Sequence, residues 1–273
     1  MTCKTYQILN QKLNIWNANA SIIPEAFETF QGNEDEAELV FTCENESENG
    51  NCYGIQYLAG AGRTIHNVFF SKRDKSQIMY TFEKEYSKFL LQTDECCTEE
   101  VISELLMAGF YSYMALRDTL LMHASAVSCG GKAVVFTAPS GTGKTTQAEL
   151  WAKYKGAQIL NGDKVFLKRD ADAIHAWGSP WKGSSAYAEN AGAPLRAIVV
   201  LQQAEENSIQ KLEGFDVLES VIPHVFFPSW DQNCEQAVLT CLDQVLGETE
   251  VYLLKCRPDE AAVELLASAL KES

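Results

Sequence analysis

Thr137-Ala138-Pro139-Ser140-Gly141-Thr142-Gly143-Lys144-Thr145-Thr146 decides the reading of this chain. Upstream lies Ala133-Val134-Val135-Phe136, a short β-branched run of the kind that forms a buried strand. Downstream lies Gln147-Ala148-Glu149-Leu150-Trp151-Ala152-Lys153, good helix formers with apolar residues at helical spacing. Strand, glycine-rich loop, Gly-Lys-Thr and helix are the setting in which a P-loop works. Gly141 and Gly143 let the backbone turn and aim its N–H groups inward. The helix N-terminus adds roughly half a positive charge. The run from Ala138 through Pro139, Ser140, Gly141, Thr142, Gly143, Lys144 and Thr145 to Thr146 therefore reads as a cradle for a polyphosphate. Lys144 can reach the β- and γ-phosphates, and the Thr145 hydroxyl can ligate Mg2+. Ala138 stands where the strict pattern has glycine, and alanine serves there if its φ is negative.

Working outward, Leu120–Ser128 reads as a strand, turned by Gly130-Gly131 into the loop-bearing strand as a hairpin. His123 is then held beside the strand that delivers the loop; it either faces the phosphates and acceptor or serves structure alone. Beyond the helix, one strand ends near Leu160 and another begins near Val165, with Asp163 at the turn between them. A nucleotide-using site needs a carboxylate to hold Mg2+ or take a proton. The apolar strand Leu195–Leu201 ends in Gln202-Gln203 and offers none, so Asp163 is the candidate. The segment Ala176–Ser185 carries Trp177, Ser179, Trp181 and Lys182. It reads either as a loop over the site, with Lys182 near phosphate and flat indole walls, or as a packed turn with a core tryptophan. Phe215–Pro223 and Asn233–Leu246 read as helices, Val251–Cys256 as a strand, and Glu260–Leu270 as a final amphipathic helix capped by Asp259.

The amino-terminal third reads as β-rich. Tyr6–Trp16 alternates, Glu38–Cys43 and Tyr53–Leu58 are short strands around a polar hairpin loop, and Thr64–Phe70, Gln77–Phe82 and Tyr86–Leu91 continue a meander. Gly60-Ala61-Gly62 is a turn. This region is a separate docking domain or an extension of the core sheet. A helix opening at Thr98, with an apolar face from Val101 to Leu116, leads into the nucleotide domain. The expected division is 1–97 and 98–273, with 98–118 as the connector. His66, His175 and His224 stand without partners at ligand spacing and read as structural.

The 273 residues are 46% apolar and carry a net charge of −15, which argues against attraction to nucleic acid or an anionic membrane surface. The polar start Met1–Tyr6 has no signal-peptide pattern, and no apolar run is long enough for a membrane helix. Nine cysteines without zinc-ligand spacing read as reduced thiols of a cytoplasmic protein.

His123-Ala124-Ser125-Ala126-Val127, the Gly-Gly turn, Ala138–Thr146 and Asn161-Gly162-Asp163-Lys164-Val165 follow one another in the order seen in the HPr serine kinase/phosphorylase catalytic domain. The chain resembles that family, and the wider phosphoenolpyruvate carboxykinase-like P-loop group, over roughly residues 118–203. His123 lies fifteen residues before Ala138, the gap the resemblance leads one to expect. The likeness implies a mixed α/β fold with a β-rich region ahead of a phosphoenolpyruvate carboxykinase-like nucleotide domain. It implies ATP and Mg2+ as cofactors, with Thr145 and Asp163 at the metal and Lys144, Asp163 and His123 as catalytic residues. The reaction would be transfer of the γ-phosphoryl group to a hydroxyl, a serine of a protein or peptide, with Asp163 or His123 as base. Two features depart from the family: Gly162 replaces the first of two adjacent acids, and Pro194-Leu195-Arg196-Ala197 lacks the glycines of a later signature. These departures point away from HPr and toward a peptide acceptor, as in divergent HPr-kinase-like proteins. Self-association is compatible with this reading, and so are a non-catalytic ATP-binding regulator and a small-molecule kinase.

Overall fold

Two sheets that share no strand organise the chain. The computed structural model describes residues 2–17, 23–33, 36–45, 56–60, 63–72, 75–81, 86–93, 99–171 and 173–272. Most of the polar span after Asn45, the start of the Tyr53–Leu58 strand, the turn at Gly60–Gly62, Thr98 and cysteines 52, 96 and 97 lie wholly or partly outside those residues, and the strands on either side of that span, expected to be a hairpin, are not neighbours in the sheet. The architecture is mixed α/β, and the chain divides into one unit of residues 1–117 with 228–235 and another of 118–227 with 236–273.

The first unit holds β1 (Thr2–Ile8), β2 (Gln11–Asn17), β3 (Leu39–Asn45), β4 (Gln56–Gly60), β5 (Arg63–Lys72), β6 (Lys75–Thr81) and β7 (Lys88–Thr93). They pair in the order β1-β2-β3-β7-β6-β5-β4. The alternation across Tyr6–Trp16 suggested one strand, but it is a hairpin. Leu9 and Asn10 take φ of 53° and 59°, and Ile8 pairs with Gln11 across them. That is the two-residue turn with both central residues left-handed. Leu9 has no glycine freedom there, and its complete burial offsets the strain. Phe41 and Phe89 stack at 4.8 Å on the adjacent strands β3 and β7. Helix α1 (Glu99–Ala115), expected to belong with the nucleotide domain, groups with this unit instead. It buries Ile102, Leu105, Leu106, Phe110 and Tyr113, and its Ser112 Oγ accepts from Trp230 Nε1 at 3.0 Å. That bond ties the returning segment 228–235 to the helix.

The second unit is built on β8 (Thr119–Cys129) and β9 (Lys132–Thr137), the hairpin turned by Gly130 and Gly131 at φ of 57° and 78°. Helix α2 (Lys144–Lys155) follows the loop, then β10 (Gln158–Asn161), β11 (Lys164–Asp170), β12 (Ala173–Trp177), β13 (Gly192–Gln203) and β14 (Ser208–Lys211). Then come α3 (Phe215–Val221), the two-residue β15 (Val225–Phe226), α4 (Gln232–Glu248), which belongs to this unit from Gln236 on, β16 (Glu250–Cys256) and α5 (Glu260–Glu272). Long β8 pairs with β11 along Thr119–His123 and with β9 along Ala124–Cys129, and it also meets β10 at Ala126–Ser128 and β15 at Leu121–Met122. β9 and β13 run parallel, as do β13 and β16. Val127, Val134, Phe136, Val199, Leu201 and Leu254 from these strands pack with Trp151 of α2 and Val263 and Leu266 of α5. This core fixes the start of α2 over the carboxyl ends of β9 and β13, where open α/β sheets place ligands. Among the described residues, no helix is long and apolar enough to cross a membrane.

Candidate functional site

The loop between β9 and α2 has the backbone that its glycines permit. Gly141 takes φ of 79° and Gly143 takes 113°, conformations closed to most side chains. Among the described residues, the non-glycine ones with positive φ are Leu9, Asn10, Tyr86, Asp118 and Ala171, so Ala138 keeps the negative φ that an alanine needs there. Thr142 N–H donates to Pro139 O at 3.3 Å, and Gln147 N–H donates to Gly143 O at 2.9 Å, which starts the helix. Ser125 Oγ, wholly buried on β8, donates to Lys144 O at 2.7 Å and grips the first turn. An open cleft of about 470 Å3 lies along the loop, lined by Pro139, Ser140, Gly141, Thr142, Leu201, Gln202 and Gln203.

Lys144 is 7% exposed. Its Nζ donates to Ala138 O at 3.0 Å and meets His123 Nε2 at 2.9 Å. Burial pulls the ammonium pKa down, and the Asp163 charge works against that pull. On the other side of the imidazole, His123 Nδ1 lies 3.2 Å from Asp163 Oδ1. Lys144 can only donate, so its partner Nε2 accepts and Nδ1 carries the hydrogen toward Asp163. Lys164 Nζ reaches Asp163 Oδ2 at 2.6 Å. Burial would raise the Asp163 pKa, but the hydrogen bonds and charges of His123 and Lys164 outweigh it and hold the carboxyl well below its usual range. A chain of four groups thus runs Lys144–His123–Asp163–Lys164.

Position sets each member. Lys164 pairs with His123 across β11 and β8, and Ala124 N–H donates to Asp163 O at 3.0 Å, so the turn carrying Asp163 is clamped to the strand carrying His123. Asn161, fully buried, shapes that turn: its Oδ1 accepts from the amides of Asp163 and Lys164, each at 2.8 Å. Thr145 Oγ1 donates to Gly162 O at 3.0 Å, placing the hydroxyl against the residue that precedes Asp163. Thr146, the next residue, lies in the first turn of α2. The edge of His123 faces Phe226 at 6.5 Å, and Lys164 Nζ stands 5.9 Å over the same ring.

The two tryptophans take different places from a wall over the loop. Trp181 is buried against Phe166 at 5.9 Å, and Trp177 Nε1 donates to Asp170 Oδ2 at 3.0 Å. Ser179 is also buried; its Oγ donates to Lys164 O at 2.9 Å. Of the two readings of this segment, the packed turn describes Trp177, Ser179 and Trp181. Lys182 is half-buried, and its carbonyl accepts from Ser185 N–H at 3.0 Å. The part that lies against Asp163 is Gly183, where a Cβ would fall 2.5 Å from Asp163 Oδ2.

His224, expected to be structural, is coupled to this cluster in its charge: burial, then the charges of Lys144 and His123, push its pKa down. No spacing signal could reveal it, since it arrives through β15, whose Val225 and Phe226 pair with Met122 and Leu121. Lys164, by contrast, stood next to Asp163 in the quoted motif. A hydroxyl and a carboxylate form the hard-oxygen set that Mg2+ takes together with water and phosphate oxygens, so Thr145 and Asp163 fit that ion. Among the described residues, no three His, Cys, Asp or Glu side chains gather in a cage that would hold a metal alone.

No family model matches this chain, and no curated protein matches it. Among solved structures, it is similar to the HPr(Ser) kinase/phosphatase from Coxiella burnetii, with 10% identity and a TM-score of 0.35, over 56% of this chain and 97% of that one.

Proposed function

We propose that the second unit is a phosphoenolpyruvate carboxykinase-like P-loop domain of the HPr-kinase type, and that the protein moves the γ-phosphoryl group of ATP to a serine hydroxyl of a protein or peptide. The observation that carries this reading is the Lys144–His123–Asp163 chain, set where a glycine-built loop meets a helix N-terminus. Loop amides and Lys144 bind the phosphates and stabilise the charge that spreads over the γ-oxygens during transfer. Thr145 and Asp163 hold Mg2+, which neutralises phosphate charge when bound.

The proton needs an acceptor. A carboxyl held far below its usual range takes protons poorly, so Asp163 serves as the anion that fixes the imidazole. His123 Nε2 takes the acceptor's proton once the Lys144 ammonium turns to the phosphates. The acceptor oxygen bonds to the γ-phosphorus, the bond from that phosphorus to the bridging oxygen breaks, and ADP leaves. Transfer of label from γ-labelled ATP into a serine-peptide library tests this. Label that appears with the parent and is lost in His123→Asn supports it; full ATP affinity with no label in any acceptor overturns it.

One feature favours a second reading, a nucleotide-binding regulator without turnover. Position 162 carries glycine where the HPr kinases carry an acid, so the turn offers Asp163 alone where that family has two adjacent acids. Calorimetry with ATP and a non-hydrolysable analogue, beside a hydrolysis assay, separates the two. Equal affinities without product would favour the regulator.

A further inference from the structure

Position 162 lacks a side chain, and the space for one is already taken. A Cβ built on Gly162 would overlap Ser185 Oγ, and would lie 2.6 Å from Ser185 Cβ and 3.6 Å from Thr145 Cγ2. The hydroxymethyl group of Ser185 therefore stands where an acid at 162 would begin, beside the threonine proposed to meet Mg2+.

Ser185 is held there. Tyr187 N–H donates to Ser185 Oγ at 3.2 Å, which fixes the rotamer. Ser185 N–H closes a turn onto Lys182 O. Asn161 bridges to Ala188, Glu189 N–H donates to Leu160 O at 2.9 Å, and Tyr187 OH donates to Glu149 Oε1 at 3.2 Å. The carboxyl end of the segment, at 187–189, is thus fastened to β10 and α2. Gly183, at φ of +56°, allows the chain to pass against Asp163.

The geometry points to Ser185 as a third oxygen of the cation site, its hydroxyl replacing the carboxylate that position 162 lacks. This inference rests on the nucleotide reading above. It has a consequence in charge: two hydroxyls and one carboxylate bring a single negative charge to a divalent ion. Such a set holds Mg2+ weakly by itself and firmly when the phosphates of a nucleotide supply the remaining charge. The ligand is therefore a small divalent cation carried by a nucleoside triphosphate, rather than a resident metal.

The test is calorimetry of ATP binding with and without Mg2+, supported by electron paramagnetic resonance of Mn2+ titrated into protein and protein–ATP. With the parent, Mn2+ alone should bind weakly and Mn2+ with ATP tightly. Ser185→Ala should leave metal-free ATP affinity in place and cut the gain given by Mg2+ by about 3–10-fold, the size of one lost oxygen ligand in partial exchange for water. Gly162→Asp alone should lower the melting temperature through the clash. Gly162→Asp with Ser185→Gly should recover the melting temperature and bind Mn2+ without ATP more tightly than the parent. A Ser185→Ala protein with the full Mg2+ gain would overturn the role of Ser185 while leaving the nucleotide reading intact. A parent that binds no ATP at all would overturn the nucleotide reading itself.

Discussion

Replacing Asp163 by Asn removes a charge from the site and keeps its shape. In the parent, the carboxylate receives two hydrogen bonds, from His123 at 3.2 Å and Lys164 at 2.6 Å. Bonds to a charged partner contribute about 1.5–3 kcal/mol each when broken. Asparagine keeps one neutral acceptor and avoids the cost of a carboxylate that is 21% exposed, so the net loss is about 1–2 kcal/mol. The pH dependence carries the stronger test. The folded carboxyl titrates below its unfolded value near 3.8, so its contribution is fully present above that pH and is lost as pH falls through the folded value. The gap between parent and Asp163→Asn should therefore be constant from about pH 5 to 8 and narrow by roughly 1 kcal/mol at pH 3. Because the chain has two units, urea unfolding should be followed by pulsed hydrogen exchange on peptides from 118–227. An Asp163→Asn protein as stable as the parent at pH 7, or a gap that does not change with pH, would refute the hydrogen-bonded chain.

Gly143→Ala places a side chain at φ of 113°, which should cost about 1–3 kcal/mol in urea unfolding and weaken ATP binding measured by calorimetry. Trp181→Ala should cost about 3–5 kcal/mol, because it empties a buried site against Phe166, whereas Trp177→Phe should cost about 1 kcal/mol and leave ATP affinity unchanged. His224 is pushed down by burial and by Lys144 and His123, so its contribution is complete above its unfolded pKa of 6.5 and is lost as pH falls below. His224→Asn should accordingly flatten the change in stability between pH 7 and pH 5, read by the same exchange experiment.

The central strand, loop and helix were legible because local chemistry dictates them: β-branched residues at 133–136, glycines at 141 and 143, helix formers after Lys144. His123 on β8 followed from the hairpin that Gly130-Gly131 forces. Other features depend on tertiary pairing and leave little local trace. The Leu9-Asn10 turn interrupts a sound alternation without glycine or proline, and the burial of Leu9 helps to hold it. Strand β12 was hidden in a segment whose tryptophans suggested a site loop; its pairing with β11 and β13 instead sends Trp177 to Asp170. The electrostatic coupling of His224 to Lys144, and the approach of Ser185 to Gly162, join residues 80 and 23 positions apart, spacings at which one sequence carries no signal.

The account stands on Lys144 and the amides ahead of α2 binding a polyphosphate. The most direct measurement is the ATP dissociation constant of Lys144→Ala beside the parent, by calorimetry with Mg2+, on protein whose fold is verified by hydrogen exchange. Removing a buried cation from its anionic partner costs about 2–5 kcal/mol, so binding should weaken by at least about 30-fold. Affinity equal to the parent's would contradict it.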